Sequence, residues 1–79
     1  MKLIIMSAQG SHEYEAVWVE ANTPKGNFVI QNNRMPTTLI LSKEKPLLYC
    51  LATGKIETIK IKTGGVLHLT RESATVLLS

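Results

Sequence analysis

The residue pattern predicts an all-β fold, an antiparallel β-sandwich of about eight short strands. Three observations lead there. Short runs rich in β-branched, aliphatic and aromatic residues recur at spacings of about ten residues. Turn-forming residues separate most of them. No stretch carries apolar residues at the three-and-four spacing of an amphipathic helix. The 79 residues form one domain spanning 1–79, and a chain of that length hides only about 60% of the surface its unfolded form exposes.

Leu3 to Met6 is a compact apolar run, closed by Ser7-Ala8-Gln9-Gly10-Ser11, where Gly10 can take positive φ. Tyr14 to Ala21 continues as a strand, but Val17, Trp18 and Val19 in succession break the period of two. A bulge or a doubly covered strand accounts for that break. Pro24-Lys25-Gly26 is a turn, with Pro setting φ and Gly permitting the reversal, and Phe28-Val29-Ile30 follows as a strand. A polar loop, Gln31 to Pro36, leads into Thr37 to Leu41, with Leu39 and Leu41 on one face.

Pro46 opens an apolar run through Ala52. Thr53-Gly54 then separates two strand-like runs at the two-residue hairpin spacing. From Lys55 to Lys62, Ile59 and Ile61 share one face while Thr58, Lys60 and Lys62 share the other, the pattern of a half-buried strand. Gly64-Gly65 breaks that run. Val66 to Thr70 places Leu67 and Leu69 inward, and Arg71-Glu72-Ser73 turns into the last strand, Ala74 to Leu78.

Composition narrows the function classes. With 44% hydrophobic and 19% charged residues the chain is globular, because it has apolar surface enough to offset the entropy of ordering. The net charge of +3 favours an acidic partner or surface. Its cations are spread along the chain rather than gathered in a block, which argues against a nucleic-acid footprint. A single cysteine, Cys50, excludes an internal disulfide, and its apolar neighbours mark an inert thiol. No run reaches the roughly 18 apolar residues of a membrane span, so membrane association is expected only through a partner.

Catalytic signatures are sparse. All six acidic side chains are glutamates, so no Asp can orient a Ser-His pair. Glu13 and Glu15 lie on one strand face about 7 Å apart, a separation at which paired carboxylates can do acid and base work, but the favoured reading is a solvated strand face. His12, His68 and Cys50 lack metal-ligand spacing. Gly64-Gly65 lacks the strand-to-helix setting of a phosphate cradle. The chain is read as a non-enzyme without cofactor or metal.

The order of motifs carries more. Lys25-Gly26-Asn27-Phe28-Val29-Ile30, then Asn33-Arg34-Met35-Pro36, then Gly64-Gly65-Val66 and Thr75-Val76-Leu77 resembles the amino-terminal β-sandwich of the epsilon subunit of F-type ATP synthases. There, Gly-acidic-Phe-Gly-hydrophobic runs into Gly-His-Ala-Pro, and Ser-Gly-Gly-Phe precedes Val-Thr-Val-Leu. The resemblance implies a central-stalk rotor subunit that binds gamma and the membrane rotor ring of a proton- or sodium-driven enzyme. It implies a location at the cytoplasmic face of a bacterial inner membrane and a monomer when isolated. On the same reading Lys25, Gly26, Asn27, Phe28, Asn33, Arg34, Met35 and Pro36 form the interface loops.

Several positions depart from the family. Asn27 stands where an acidic residue is common, which removes a charge from the ring-facing turn, and Arg34 keeps a cation where the family has His, without its titration. Val17 and Trp18 replace polar residues, making Trp18 a candidate partner-facing residue. The family's carboxy-terminal helical hairpin would begin where this sequence ends, at Ser79. Two other classes compete. One is a small basic nucleic-acid-binding β-barrel using Lys55, Lys60 and Lys62, although that strand has no aromatic residue on which a base could stack. The other is a lipoyl- or biotinyl-type carrier using Lys43 or Lys45, whose flanking residues lack the carrier pattern.

Overall fold

A computed structural model describes residues 1–32 and 35–78. Among them are eight strands: β1 (Lys2–Ser7), β2 (Gly10–Thr23), β3 (Gly26–Ile30), β4 (Thr37–Leu41), β5 (Lys45–Leu51), β6 (Ile56–Ile61), β7 (Gly65–Leu69) and β8 (Ser73–Leu78). They pair in the order β4-β7-β8-β1-β2-β5-β6, with β3 added to β2. The result is two layers that share β2. Its first half pairs with β1 and its second half with β3 and β5.

The shared strand is possible because β2 is bent. Ala16 pairs with Leu51 and Trp18 with Cys50, which leaves Val17 as the extra residue of a β-bulge. A bulge increases local twist and turns a strand out of its sheet. The irregular Val17-Trp18-Val19 run is the sequence trace of that bend. Met1 locks it from the side: its amine donates to the Ala16 carbonyl at 2.6 Å, and its carbonyl accepts from the Ala16 N–H at 2.8 Å.

Between the layers lies an apolar core to which every strand contributes. Leu3, Val19, Ala21, Leu47, Leu67, Ala74 and Val76 have no exposed surface, and Met1, Ile5, Ala16, Ile30, Leu41, Tyr49, Ile61 and Leu69 complete it among the described residues. The inward assignments of Leu39, Leu41, Ile59, Ile61, Leu67 and Leu69 hold. Leu39 and Ile59 sit at its margin, half-buried.

Three features differ from the sequence expectation. The sheet is mixed, because β1 and β8 run parallel while the other pairs are antiparallel. Strand direction leaves no mark on inward and outward alternation, so the pattern that locates both strands is silent about it. The second strand is 14 residues long, not short. The β5–β6 hairpin turns through Ala52, Thr53 and Gly54, since the Leu51 N–H donates to the Lys55 carbonyl at 2.8 Å. Gly54, at φ +94°, takes the left-handed position such a three-residue loop needs.

Gly64 and Gly65 break the chain between β6 and β7 for separate reasons. Gly64 has φ +97°, a backbone that L side chains rarely adopt. A β-carbon on Gly65 would lie 2.7 Å from the Leu77 carbonyl oxygen. The close approach of β7 to β8 therefore requires the missing side chain.

Candidate protein interface

The β2–β3 hairpin presents Lys25 to Phe28. Its tip is set by Thr23, whose hydroxyl accepts from the Lys25 N–H at 3.1 Å and donates to the Gly26 carbonyl at 3.0 Å, while Gly26 has φ +129°. Phe28 pairs with Ala21 and so points to the inner side of its layer, but at the rim it stays 39% exposed. There it meets the other layer across a cleft of about 280 Å³ lined by Thr23, Pro24, Lys25, Phe28, Thr38, Leu39 and Ile40. The structure thus joins Lys25 and Phe28 to β4.

Asn27 faces the opposite way. Its amide donates to Glu20 Oε2 at 3.0 Å and to Asn22 Oδ1 at 3.1 Å on the outer surface of β2. A carboxylate thus lies beside Asn27 one strand over, on Glu20. Sequence spacing hid it, because Glu20 is 7 residues away in the chain and adjacent only through strand pairing.

Met35 is 80% exposed and Pro36 is exposed, just ahead of β4. Asn33 and Arg34 lie outside the described residues. Trp18 is not part of the hairpin cluster. It sits half-buried on the outer surface of the β3-β2-β5-β6 layer, paired with Cys50, which in turn pairs with Ile56. Cys50 is itself half-buried rather than in the core, because Leu47 and Tyr49 take the inward positions of β5.

A second surface emerges only from the register. Ile40 pairs with Val66, Val66 with Leu77, and Leu77 with Met6, so four apolar side chains form one row across β4, β7, β8 and β1 on the outer face. Ile40 is 66% exposed, Leu77 44% and Met6 42%. Val66, between Ile40 and Leu77, is half-buried. The row's signal in the sequence is that Leu3-Ile4-Ile5-Met6, Leu39-Ile40-Leu41 and Val76-Leu77-Leu78 are apolar on both faces. Without the register those runs cannot be aligned into a patch.

Several of the titratable groups among the described residues are ion-paired or hydrogen-bonded to neighbours on the strands. Glu15 is 3.1 Å from the Met1 amine and Glu13 is 3.7 Å from Lys2 Nζ, so the two carboxylates belong to a solvated, ion-paired strand face. His68 Nδ1 is 3.1 Å from the Thr38 hydroxyl on the neighbouring strand. Tyr49, buried and with its ring centroid 5.3 Å from that of Tyr14, has its phenol pushed up to about 12 by burial and then by Tyr14. No group of three His, Cys, Asp or Glu side chains that could hold a metal occurs among the described residues.

The architecture has counterparts among solved structures. A chain of the cryo-EM structure of the Euglena gracilis mitochondrial ATP synthase superposes with a TM-score of 0.82 over 96% of this chain, at 15% identity. This is the fold of an ATP synthase chain. A chain of the central stalk and c-ring of the Tetrahymena thermophila mitochondrial ATP synthase matches with a TM-score of 0.77 over 100% of this chain, also at 15% identity. The match covers 48% of the Euglena chain and 63% of the Tetrahymena chain. No protein-family model and no curated protein matches the sequence. The ATP-synthase resemblance read from the motifs and the structural likeness point to the same fold.

Proposed function

We propose that this chain is an epsilon-type subunit of the central stalk of an F-type ATP synthase, acting by binding rather than by chemistry. It links the gamma subunit to the membrane rotor ring so that ion-driven rotation reaches the catalytic head. The observation that carries this reading is the shared fold over nearly the whole chain with chains from two ATP synthase structures, one of them a central stalk and c-ring. The order of motifs along the sequence supports it independently.

In this reading the Ile40-Val66-Leu77-Met6 row packs on the gamma subunit, because an apolar row crossing four paired strands suits a long-lived contact. The Lys25–Phe28 hairpin, with Glu20 behind Asn27 and the Met35-Pro36 segment nearby in sequence, meets the polar loops of the rotor ring. Paired strands holding a close-packed core resist continuous deformation, which torque transfer requires. The subunit would sit on the membrane side from which the stalk projects, the cytoplasmic face in a bacterium, and would reach the membrane only through its partners.

Co-expression with the cognate gamma subunit, followed by gel filtration at micromolar concentration, tests the reading. A co-eluting complex is expected. Replacing Ile40 and Leu77 together by Lys should weaken it by at least about thirtyfold, the loss typical of charging a desolvated contact. Separate elution of the unsubstituted pair would overturn the assignment.

A further inference from the structure

The chain's net charge is concentrated at one end of the sandwich, and that end is concave. A cleft of about 360 Å³ opens between the two layers, lined by Ser7, Gln9, Lys60, Lys62, Thr63, Gly64 and Leu78. Lys45 stands at the same end of the neighbouring strand, paired with Ile61 and so on the opposite face from Lys60 and Lys62. Lys43 borders Gly64, where an added β-carbon would lie 3.8 Å from its Cγ. Of the acidic residues only Glu44 is next in sequence to any of these lysines, so the four lysines and that glutamate carry +3, equal to the formal charge of the whole protein.

Among the described residues none of these four lysines forms an ion pair, whereas Lys2 and Lys55 at the other end both do. Like charges held near one another repel, and no ion pair among the described residues relieves this. The cleft combines Lys60 and Lys62 with the polar side chains of Ser7 and Gln9 and one apolar element, the half-buried Leu78. Concavity and an apolar floor suit inserted side chains better than a flat bilayer. The lack of any aromatic side chain in the cleft lining removes the usual platform for nucleic-acid bases.

We propose that this cleft binds an acidic segment of a partner polypeptide, with an apolar side chain seated on Leu78 and flanking carboxylates against Lys60, Lys62 and the neighbouring Lys43. The inference does not depend on the stalk assignment, since it uses only the charge distribution and the shape of this end. Salt weakens the contact because the lysines are exposed and screened.

The test is fluorescence anisotropy of the 79-residue chain with a labelled peptide of repeated Glu-Glu-Leu-Glu at low and at physiological ionic strength, with amide chemical shifts recorded in parallel. Binding is expected at low salt and weaker by at least about tenfold at the higher. Amides of Ser7, Gln9, Lys60, Lys62, Gly64 and Leu78 should move. Lys60→Glu with Lys62→Glu should weaken binding at least about tenfold, and Lys2→Glu with Lys55→Glu, the same change in total charge, by less than about threefold. Should the double reversal disturb the fold, Lys60→Gln with Lys62→Gln makes the same comparison with a smaller loss.

Absence of binding, or equal losses from reversals at both ends, would overturn the proposal. So would tighter binding to an oligothymidylate or to phosphatidylserine vesicles than to the peptide.

Discussion

At the end of the sandwich formed by Met1, the β5–β6 hairpin and the β7–β8 turn, cations meet carboxylates within the chain. Lys2 reaches Glu13 at 3.7 Å, Lys55 reaches Glu57 at 3.5 Å, and the Met1 amine reaches Glu15 at 3.1 Å. At the opposite end, where the β1–β2, β4–β5 and β6–β7 turns gather, Lys43, Lys45, Lys60 and Lys62 have no such partner among the described residues. The glycines differ in the same way. Gly54, in the β5–β6 hairpin, has nothing within 4 Å of an added β-carbon, while Gly65 has the Leu77 carbonyl at 2.7 Å. One end is internally satisfied. The other holds a close backbone approach at Gly65 and, among the described residues, four lysines without ion-pair partners, a combination expected of a surface that meets something outside the chain.

Substitutions at the two glycines give the largest expected contrast. Gly65→Val should cost about 3 kcal/mol or more, because the atom it strikes is backbone and can move only by parting β7 from β8. Gly54→Ala should cost about 1–2 kcal/mol, from its positive φ alone. Urea unfolding of both variants measures this, and equal losses would show that close backbone approach is not what Gly65 serves.

The aromatic pair between the ends supplies a pH handle. The Tyr49 phenol is raised from 10.0 to about 12, so between those values the unfolded chain gives up its proton while the folded chain keeps it. Stability is then undiminished below pH 10 and falls as pH rises towards 12, by on the order of 2–3 kcal/mol. Thermal melts at rising pH should show that fall in the parent and lack most of it in Tyr49→Phe. A parallel decline in both would remove Tyr49 as its source.

Smallest, and opposite in sign, are the lysines. Lys2→Ala and Lys55→Ala should each lower stability by no more than about 0.5 kcal/mol, since exposed pairs are screened and mobile. Lys62→Ala should leave it unchanged or raise it, because the substitution relieves repulsion. Added salt should narrow the difference between the ends. A loss for Lys62→Ala comparable with that for Lys55→Ala would show that the basic end has an internal partner after all.

Much of this was legible in the residues. Alternation along Thr37–Leu41, Lys55–Lys62 and Val66–Thr70 identified inward side chains because a half-buried strand must repeat every two residues. The Val17-Trp18-Val19 run signalled the bend in β2, since three successive large apolar residues cannot all face one side of a regular strand. The hairpin and loop residues of the expected interface were named from motif order, and the structure then separated them. Phe28 turns to the inter-layer cleft, Asn27 to Glu20 on the outer surface, and Trp18 lies back along β2 beside Cys50. The three-residue loop around Gly54 was misjudged by one residue, because hairpin spacing depends on which backbone groups pair rather than on where apolar runs end.

Local chemistry within the sequence thus determined roughly where strands and turns fall and which face of the alternating strands is buried, since each depends on neighbours a few residues apart. Tertiary structure decided what lies side by side. The parallel β1–β8 pair, the apolar row through Ile40, Val66, Leu77 and Met6, and the gathering of four lysines at one end all depend on register between strands distant in the chain. Backbone hydrogen bonds set that register, and side-chain alternation is the same whichever strand lies beside it.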